Sequence, residues 1–192
     1  MGSPSFLTSP MFNIAVMLVI MQLGKKIDWN DPDTLMIARI GYYGAQVLVI
    51  GLAYALMQLV KSKNDTTELK YTETKSGATQ GQEIKTTNVA YDTAQVQQFI
   101  QSTLTSVAMI SLMHWQFKFT QPLLMQSILP FKNLLSHKIA LIYLWGDDTT
   151  QDGLKRPFQA ENPLAALMGG GGGSAAAPAE PAAVDDGHKK KD

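Results

Sequence analysis

Residues 35–60, LMIARIGYYGAQVLVIGLAYALMQLV, run for twenty-six positions with one formal charge, Arg39. As a helix rising about 1.5 Å per residue the stretch reaches roughly 39 Å, against about 30 Å of bilayer hydrocarbon. It reads as a membrane-spanning helix, and the chain as an all-α membrane protein. At about 100° per residue Arg39, Tyr43, Gln46 and Tyr54 share one face, which reads as wet, while Gly44, Leu48, Gly51 and Ala55 share the other, which reads as packed. The small residues Gly41, Ala45, Gly51 and Ala55 form a candidate helix-packing seam, within the chain or to a partner subunit.

Outward from this helix the chain alternates apolar and polar blocks. Before it, Met11–Leu23 is an apolar run with no Lys or Arg ahead of it and no small-residue cleavage pattern after it, so a helix near 6–23 is expected to be retained rather than removed as a signal peptide. Only about 13 residues long without Phe6 and Leu7, it is marginal as a span. Asp31-Pro32-Asp33-Thr34 marks the start of the long helix. Beyond the long helix, a polar loop, 61–95, carries Lys61, Lys63, Lys70, Lys75 and Lys85 around a Gly/Thr/Gln-rich middle that reads as mobile.

A third helix is expected over 92–119, apolar but rich in Gln, Ser and Thr. Gln98, Gln101, Ser102, Thr105, Met109, Met113 and Gln116 fall on one face roughly 120° wide. Pro122 ends it, and 123–135, interrupted by Pro130 and Lys132, reads as a short re-entrant or interfacial helix. Ile139–Trp145 reads as a short strand. Residues 146–192 hold five consecutive glycines, an Ala/Pro block and a terminal Lys triplet, a composition expected to stay disordered. The expected organisation is thus a membrane domain over 1–145, with about three transmembrane helices and the short fourth one, followed by the polar tail.

Bulk composition hides this pattern. Net charge is zero over 192 residues and the mean hydropathy is −0.03, because the loop and the tail dilute the apolar helices. Nothing in the charge balance points to nucleic acid, and the lack of Cys removes disulfides and thiol chemistry. The three histidines, His114, His137 and His188, have no metal-ligand spacing, and no catalytic constellation assembles around them. No enzyme activity, cofactor or metal is expected. Counting basic residues, the 61–95 loop has five and the region after Leu135 has six, which places both in the cytosol by the positive-inside tendency. Lys25 and Lys26 pull the other way.

Polar side chains inside a membrane cost free energy when they face lipid, so they usually face protein or water. Arg39, Tyr43 and Gln46 on the second helix, with Gln98, Gln101, Ser102, Thr105 and Gln116 on the third, are therefore the candidate lining of a shared polar groove. The alternative is ordinary hydrogen bonding between helices, worth about 0.6 kcal/mol per contact.

Several short blocks carry a resemblance: Met21-Gln22-Leu23 before a basic pair, Lys63-Asn64-Asp65, Lys118 to Leu123 with Met125-Gln126-Ser127, and Leu154 to Phe158. Together they resemble the fungal inorganic phosphate transport protein 88 family, also described as the third component of the SRP-independent (SND) targeting pathway of the endoplasmic reticulum. The resemblance implies a multi-pass endoplasmic reticulum membrane protein that helps deliver or insert client membrane proteins. It also implies partners: the Sec translocon, other SND-pathway subunits, the clients and, through the basic loop, the ribosome or the lipid bilayer. Phosphate transport and a purely structural role in a translocon complex are the alternatives. A phosphate carrier would be expected to place basic groups at mid-membrane between repeated halves, and this chain shows no repeat.

Overall fold

The computed structural model describes residues 2–73, 82–150 and 153–158. Helix α1 (Pro10–Lys26) leads through a short connector to α2 (Pro32–Lys63); a two-stranded hairpin, β1 (Glu68–Glu73) and β2 (Gln82–Thr87), leads to α3 (Asn88–Phe117); then follow α4 (Gln121–Leu135), the single turn α5 (Lys138–Ala140) and a π-helical turn, Leu141–Trp145. Of these, α2 alone is both long and apolar enough to cross a membrane, so three spans are not established by length and composition.

Local chemistry explains the boundaries. Asp31 caps α2, accepting from the Thr34 N–H at 3.0 Å, and Pro32 occupies the first turn where no N–H is needed. Asn64 ends α2 in the left-handed region at φ 46° and donates to the Val60 carbonyl. Phe6 and Leu7 do not extend α1 across Pro10; they belong to a preceding turn. Pro130 does not interrupt α4, which runs through it with Pro130 and Lys132 both buried.

Two expectations are corrected here. The polar stretch after α2 is not a featureless loop: β1 and β2 pair antiparallel from Glu68↔Thr87 to Glu73↔Gln82. One hairpin face carries Leu69, Tyr71, Ile84 and Thr86, and the Tyr71 ring packs on Tyr91 at 5.4 Å, so alternation supplies a half-buried sheet despite the polar composition. The Gly/Thr-rich middle, 74–81, lies outside the described residues. Ile139–Trp145, expected as a strand, is helical instead. Ile139, Ala140 and Leu141 are consecutive and all buried, and a helical turn satisfies their backbone groups locally where a strand would find no partner.

The helices run up and down. α2 lies between α3 and α4, and α1 packs on the outer side of α4, where a Cβ at Gly24 would stand 3.5 Å from Leu124. The main core gathers Val49, Ala53, Leu56 and Val60 of α2 with Val96, Leu134, Ile139 and Ala140. A second cluster joins Leu7, Leu141 and Leu154. Residues 153–158, grouped from composition with the unstructured tail, therefore contribute to packing; the rest of that tail, 159–192, lies outside the described residues.

Candidate functional site

The two polar stripes do not meet across a common cleft. On α2 the polar side chains reach the neighbouring helices: Arg39, exposed, donates through Nε to His114 Nε2 at 2.9 Å, the hydroxyls of exposed Tyr43 and of Ser111 lie 2.9 Å apart, and Gln46, 4% exposed, donates to the Gln126 carbonyl at 2.6 Å. These contacts tie α2 to α3 and α4. Tyr54 is exposed and outside the set. On α3 the face against α2 is Val96, Phe99, Ile100 and Thr103. Gln98, Gln101, Ser102, Thr105 and Gln116 stand on the opposite side, all exposed. Thr105 bonds back to the Gln101 carbonyl at 2.9 Å, a local contact that leaves the amide side chains of the strip outward.

The small-residue face packs against no element within the described chain, which leaves a partner as the other expected use of that seam. Gly41, Gly44, Gly51 and Ala55 are exposed and Ala45 half-buried, with nothing within 4 Å of a Cβ built at any of the three glycines. A different face does the packing inside the chain: Tyr42, Val49, Ala53, Leu56 and Val60.

The contacts Arg39–His114 and Tyr43–Ser111 fix the antiparallel register of α2 and α3. Continued along both helices, it sets Thr105 about level with Leu48, near the middle of the 35–60 stretch, and Gln98 about level with Ala55, roughly 10 Å nearer the hairpin. The exposed polar strip therefore occupies one half of α3's depth. In the other half the exposed residues include Met109, Leu112, Trp115 and Phe117, with Gln116 among them near the helix end.

At the hairpin end lies a buried ionic cluster that sequence reasoning missed. Asp92, fully buried, accepts from Arg156 Nε at 2.7 Å and Nη2 at 2.5 Å, and from the Tyr143 hydroxyl at 2.8 Å. The Phe158 N–H donates to the Tyr91 hydroxyl at 2.8 Å, and Lys138 sits over the Phe158 ring. Burial pulls the Arg156 guanidinium down, but hydrogen bonding to Asp92 and its negative charge more than compensate and leave it above its ordinary value. Burial, then the hydrogen bond to Asp92 and its charge, push the Tyr143 phenol up to about 12. Two signals pointed here: Asp92 is the only acidic residue between Glu83 and Asp147, and Leu154–Phe158 is one of the blocks behind the family resemblance.

Nearby, Asp65 joins α2, the hairpin and α3. Its carboxylate accepts from the Thr67 hydroxyl at 2.6 Å and the Asn88 amide at 2.9 Å, bonds that hold its carboxyl below the ordinary carboxylate range. At the same end the Ser3 N–H donates to Asp147 at 2.6 Å. Among the described residues no group of three or more His, Asp or Glu side chains is placed to hold a metal ion.

A family described as "Phosphate transport (Pho88)" matches residues 7–192. The chain is 40% identical over 154 residues to the SRP-independent targeting protein 3 of Saccharomyces cerevisiae, covering 77% of this chain and 79% of that one. It is 35% identical over 167 residues to an uncharacterized Schizosaccharomyces pombe protein, covering 85% and 80%, and 27% identical over 160 residues to the SRP-independent targeting protein 3 homolog of the same yeast, covering 82% of each. No solved structure matches.

Proposed function

We propose a role in SRP-independent delivery of membrane proteins, on this premise: the chain belongs to the Pho88 family. The name of the Saccharomyces cerevisiae relative supports the general role and, with it, association with the endoplasmic reticulum membrane. The finer reading is insertion without covalent chemistry, beside the Sec translocon and other SND-pathway subunits. In it α2 spans the bilayer, and α1 and α3 are seated with it. Exposed apolar side chains such as Ile14, Leu18, Met109 and Leu112 support that seating, since lipid would cover them.

One observation carries this reading: Gln98, Gln101, Ser102 and Thr105 form an exposed polar strip on α3 that starts near mid-depth and opens toward the hairpin end. Facing lipid, such groups are costly, so a site that presents them is suited to a client's hydrophilic flank. The strip would lower the cost of drawing that flank halfway across, while the apolar half of α3 releases the client's hydrophobic segment to lipid. The expected groove thus becomes a half-depth surface on α3, with Arg39, Tyr43 and Gln46 as the struts behind it. Phosphate uptake fits as an indirect effect, because a phosphate carrier that is not inserted carries nothing.

Replacing Gln98, Gln101, Ser102 and Thr105 together with Leu tests the reading in reconstituted vesicles. Slower insertion of clients with polar translocated ends, at unchanged thermal stability, is expected; insertion at the wild-type rate would refute it.

A further inference from the structure

At the end of the helices away from the hairpin, Arg39 has no ion pair among the described residues. No Asp or Glu occurs in 34–64 or in 93–146, so neither α2 beyond its first turn nor α3 past Asp92 nor α4 can offer Arg39 an ion pair. Asp31, in the connector, is engaged by Thr34. What Arg39 does have is an acceptor: His114 Nε2, 2.9 Å from Arg39 Nε. The other ring nitrogen, Nδ1, lies 2.8 Å from the Phe119 carbonyl. A carbonyl only accepts, so Nδ1 carries the proton and Nε2 the lone pair, and the imidazole is neutral.

The result is a guanidinium held by a fixed neutral ring, which among the described residues has no carboxylate in ion-pair contact and no protein group bonded to its two terminal nitrogens. Those nitrogens form the fork that matches the oxygens of a phosphate or carboxylate. The surroundings select the source. Met36, Ile37 and Ile40 beside Arg39 on α2 are exposed, and Trp115, next to His114, is 88% exposed, the kind of aromatic that sits at headgroup level. Arg39 lies about two turns inside the α2 N-terminus, within reach of an interface but below bulk water.

We propose that Arg39, positioned by His114, is a binding site for the phosphate of an anionic glycerophospholipid at the bilayer face opposite the hairpin. This rests on the reading above that α2 and α3 are seated in a bilayer. It goes beyond that reading in giving the chain a lipid ligand on the side that the client strip does not reach.

The experiment uses the full chain with Trp29→Phe and Trp145→Phe, leaving Trp115 as the fluorophore, in vesicles containing either brominated phosphatidylcholine or brominated phosphatidylserine. Quenching by brominated phosphatidylcholine reports seating alone; its absence would overturn the seating, and this proposal with it. Given seating, phosphatidylserine should be enriched around Trp115 by roughly fivefold, the preference that one interfacial cation confers. Arg39→Ala should abolish the enrichment, and His114→Ala and Arg39→Lys should remove most of it by losing the held fork, whereas Lys118→Ala should leave it. Equal quenching by the two lipids, enrichment retained in Arg39→Ala, or full activity of Arg39→Lys would refute a positioned guanidinium site. Loss of the enrichment on adding inorganic phosphate at equimolar amounts to the anionic lipid would also refute it, by making the free ion the ligand.

Discussion

Substituting Arg156 by Ala strips a fully buried carboxylate of its bidentate partner and leaves Asp92 with the Tyr143 hydroxyl alone. Breaking one side of a buried ion pair typically costs about 3–5 kcal/mol, most of it the penalty of stranding the other charge. The Arg156 side chain is 9% exposed and Asp92 is not exposed at all, so water cannot take over the lost contacts without opening the join between α3, the π turn and residues 153–158. At about 3 kcal/mol the midpoint of thermal unfolding for a chain of this size should fall by roughly 6–12 °C. The assay is a double-mutant cycle of Arg156→Ala and Asp92→Ala on the full chain in one detergent, with limited proteolysis at Lys155 as a local readout. The double variant should recover about 2 kcal/mol or more relative to the sum of the singles, and both singles should speed tryptic cleavage at Lys155, already exposed but held in a docked segment. Additivity within about 0.5 kcal/mol would refute the claim that these two residues act on each other.

Asp65 makes a pH prediction. Its carboxyl is held below the ordinary range by Thr67 and Asn88, so the stabilisation is present above the unfolded-state value and fades as pH falls through the folded one. Hydrogen exchange of the β1 and β2 amides, corrected for intrinsic rate, should therefore lose protection in acid, and Asp65→Ala should remove that dependence at a cost of about 1 kcal/mol at neutral pH. Tyr143 makes the alkaline counterpart. With its phenol raised from 10.0 to about 12, its contribution is intact below the ordinary value and is lost as pH rises through the folded one, so tyrosinate absorbance of Tyr143→Phe should show one equivalent fewer titrating above the ordinary range than the wild type. Gln46→Leu should cost about 1 kcal/mol in thermal unfolding by leaving the Gln126 carbonyl unpaired, yet should not slow client insertion, because Gln46 supports the helices from within and does not belong to the exposed strip.

The elements that sequence periodicity located well are those whose cause is local. Asp31, Pro32 and the apolar run define α2 wherever it is placed, and the Gln/Ser/Thr spacing on α3 gives the correct set of residues sharing a face. What spacing cannot give is which way a face points. Arg39, Tyr43 and Gln46 share a side in both readings, but only the positions of His114, Ser111 and the Gln126 carbonyl, 75, 68 and 80 residues away, direct that side to its neighbouring helices. The same holds for Asp92 and Arg156, separated by 64 residues with no periodic relation. The hairpin was hidden for another reason: Thr, Lys and Gln dominate its composition, and only Leu69, Tyr71 and Ile84 betray the alternation.

The conflict between Lys25–Lys26 and the basic loop finds a geometric answer. Phe158 bonds Tyr91, Ser3 bonds Asp147, and Asn88 bonds Asp65, so the N-terminal turn, the hairpin and residues 153–158 all gather at one end, whereas the α1–α2 connector and the α3–α4 turn lie at the other. Lys61, Lys63, Lys70, Lys85 and Lys155 belong to the first end; Lys25, Lys26 and Lys118 belong to the second, with Arg39 just inside it. On the proposed membrane reading, a bundle whose chain goes and returns twice must put the loop and the C-terminal segment on the same side, as the positive-inside tendency requires of both. The α1 pair is then an outnumbered dissent rather than a contradiction, and α3's polar strip opens on the side carrying most of the positive charge. A client arriving from that side would meet the hairpin end first and the hydrophilic strip next, with the apolar half of α3 last, an order that lets a hydrophilic flank reach polar groups before the apolar ones.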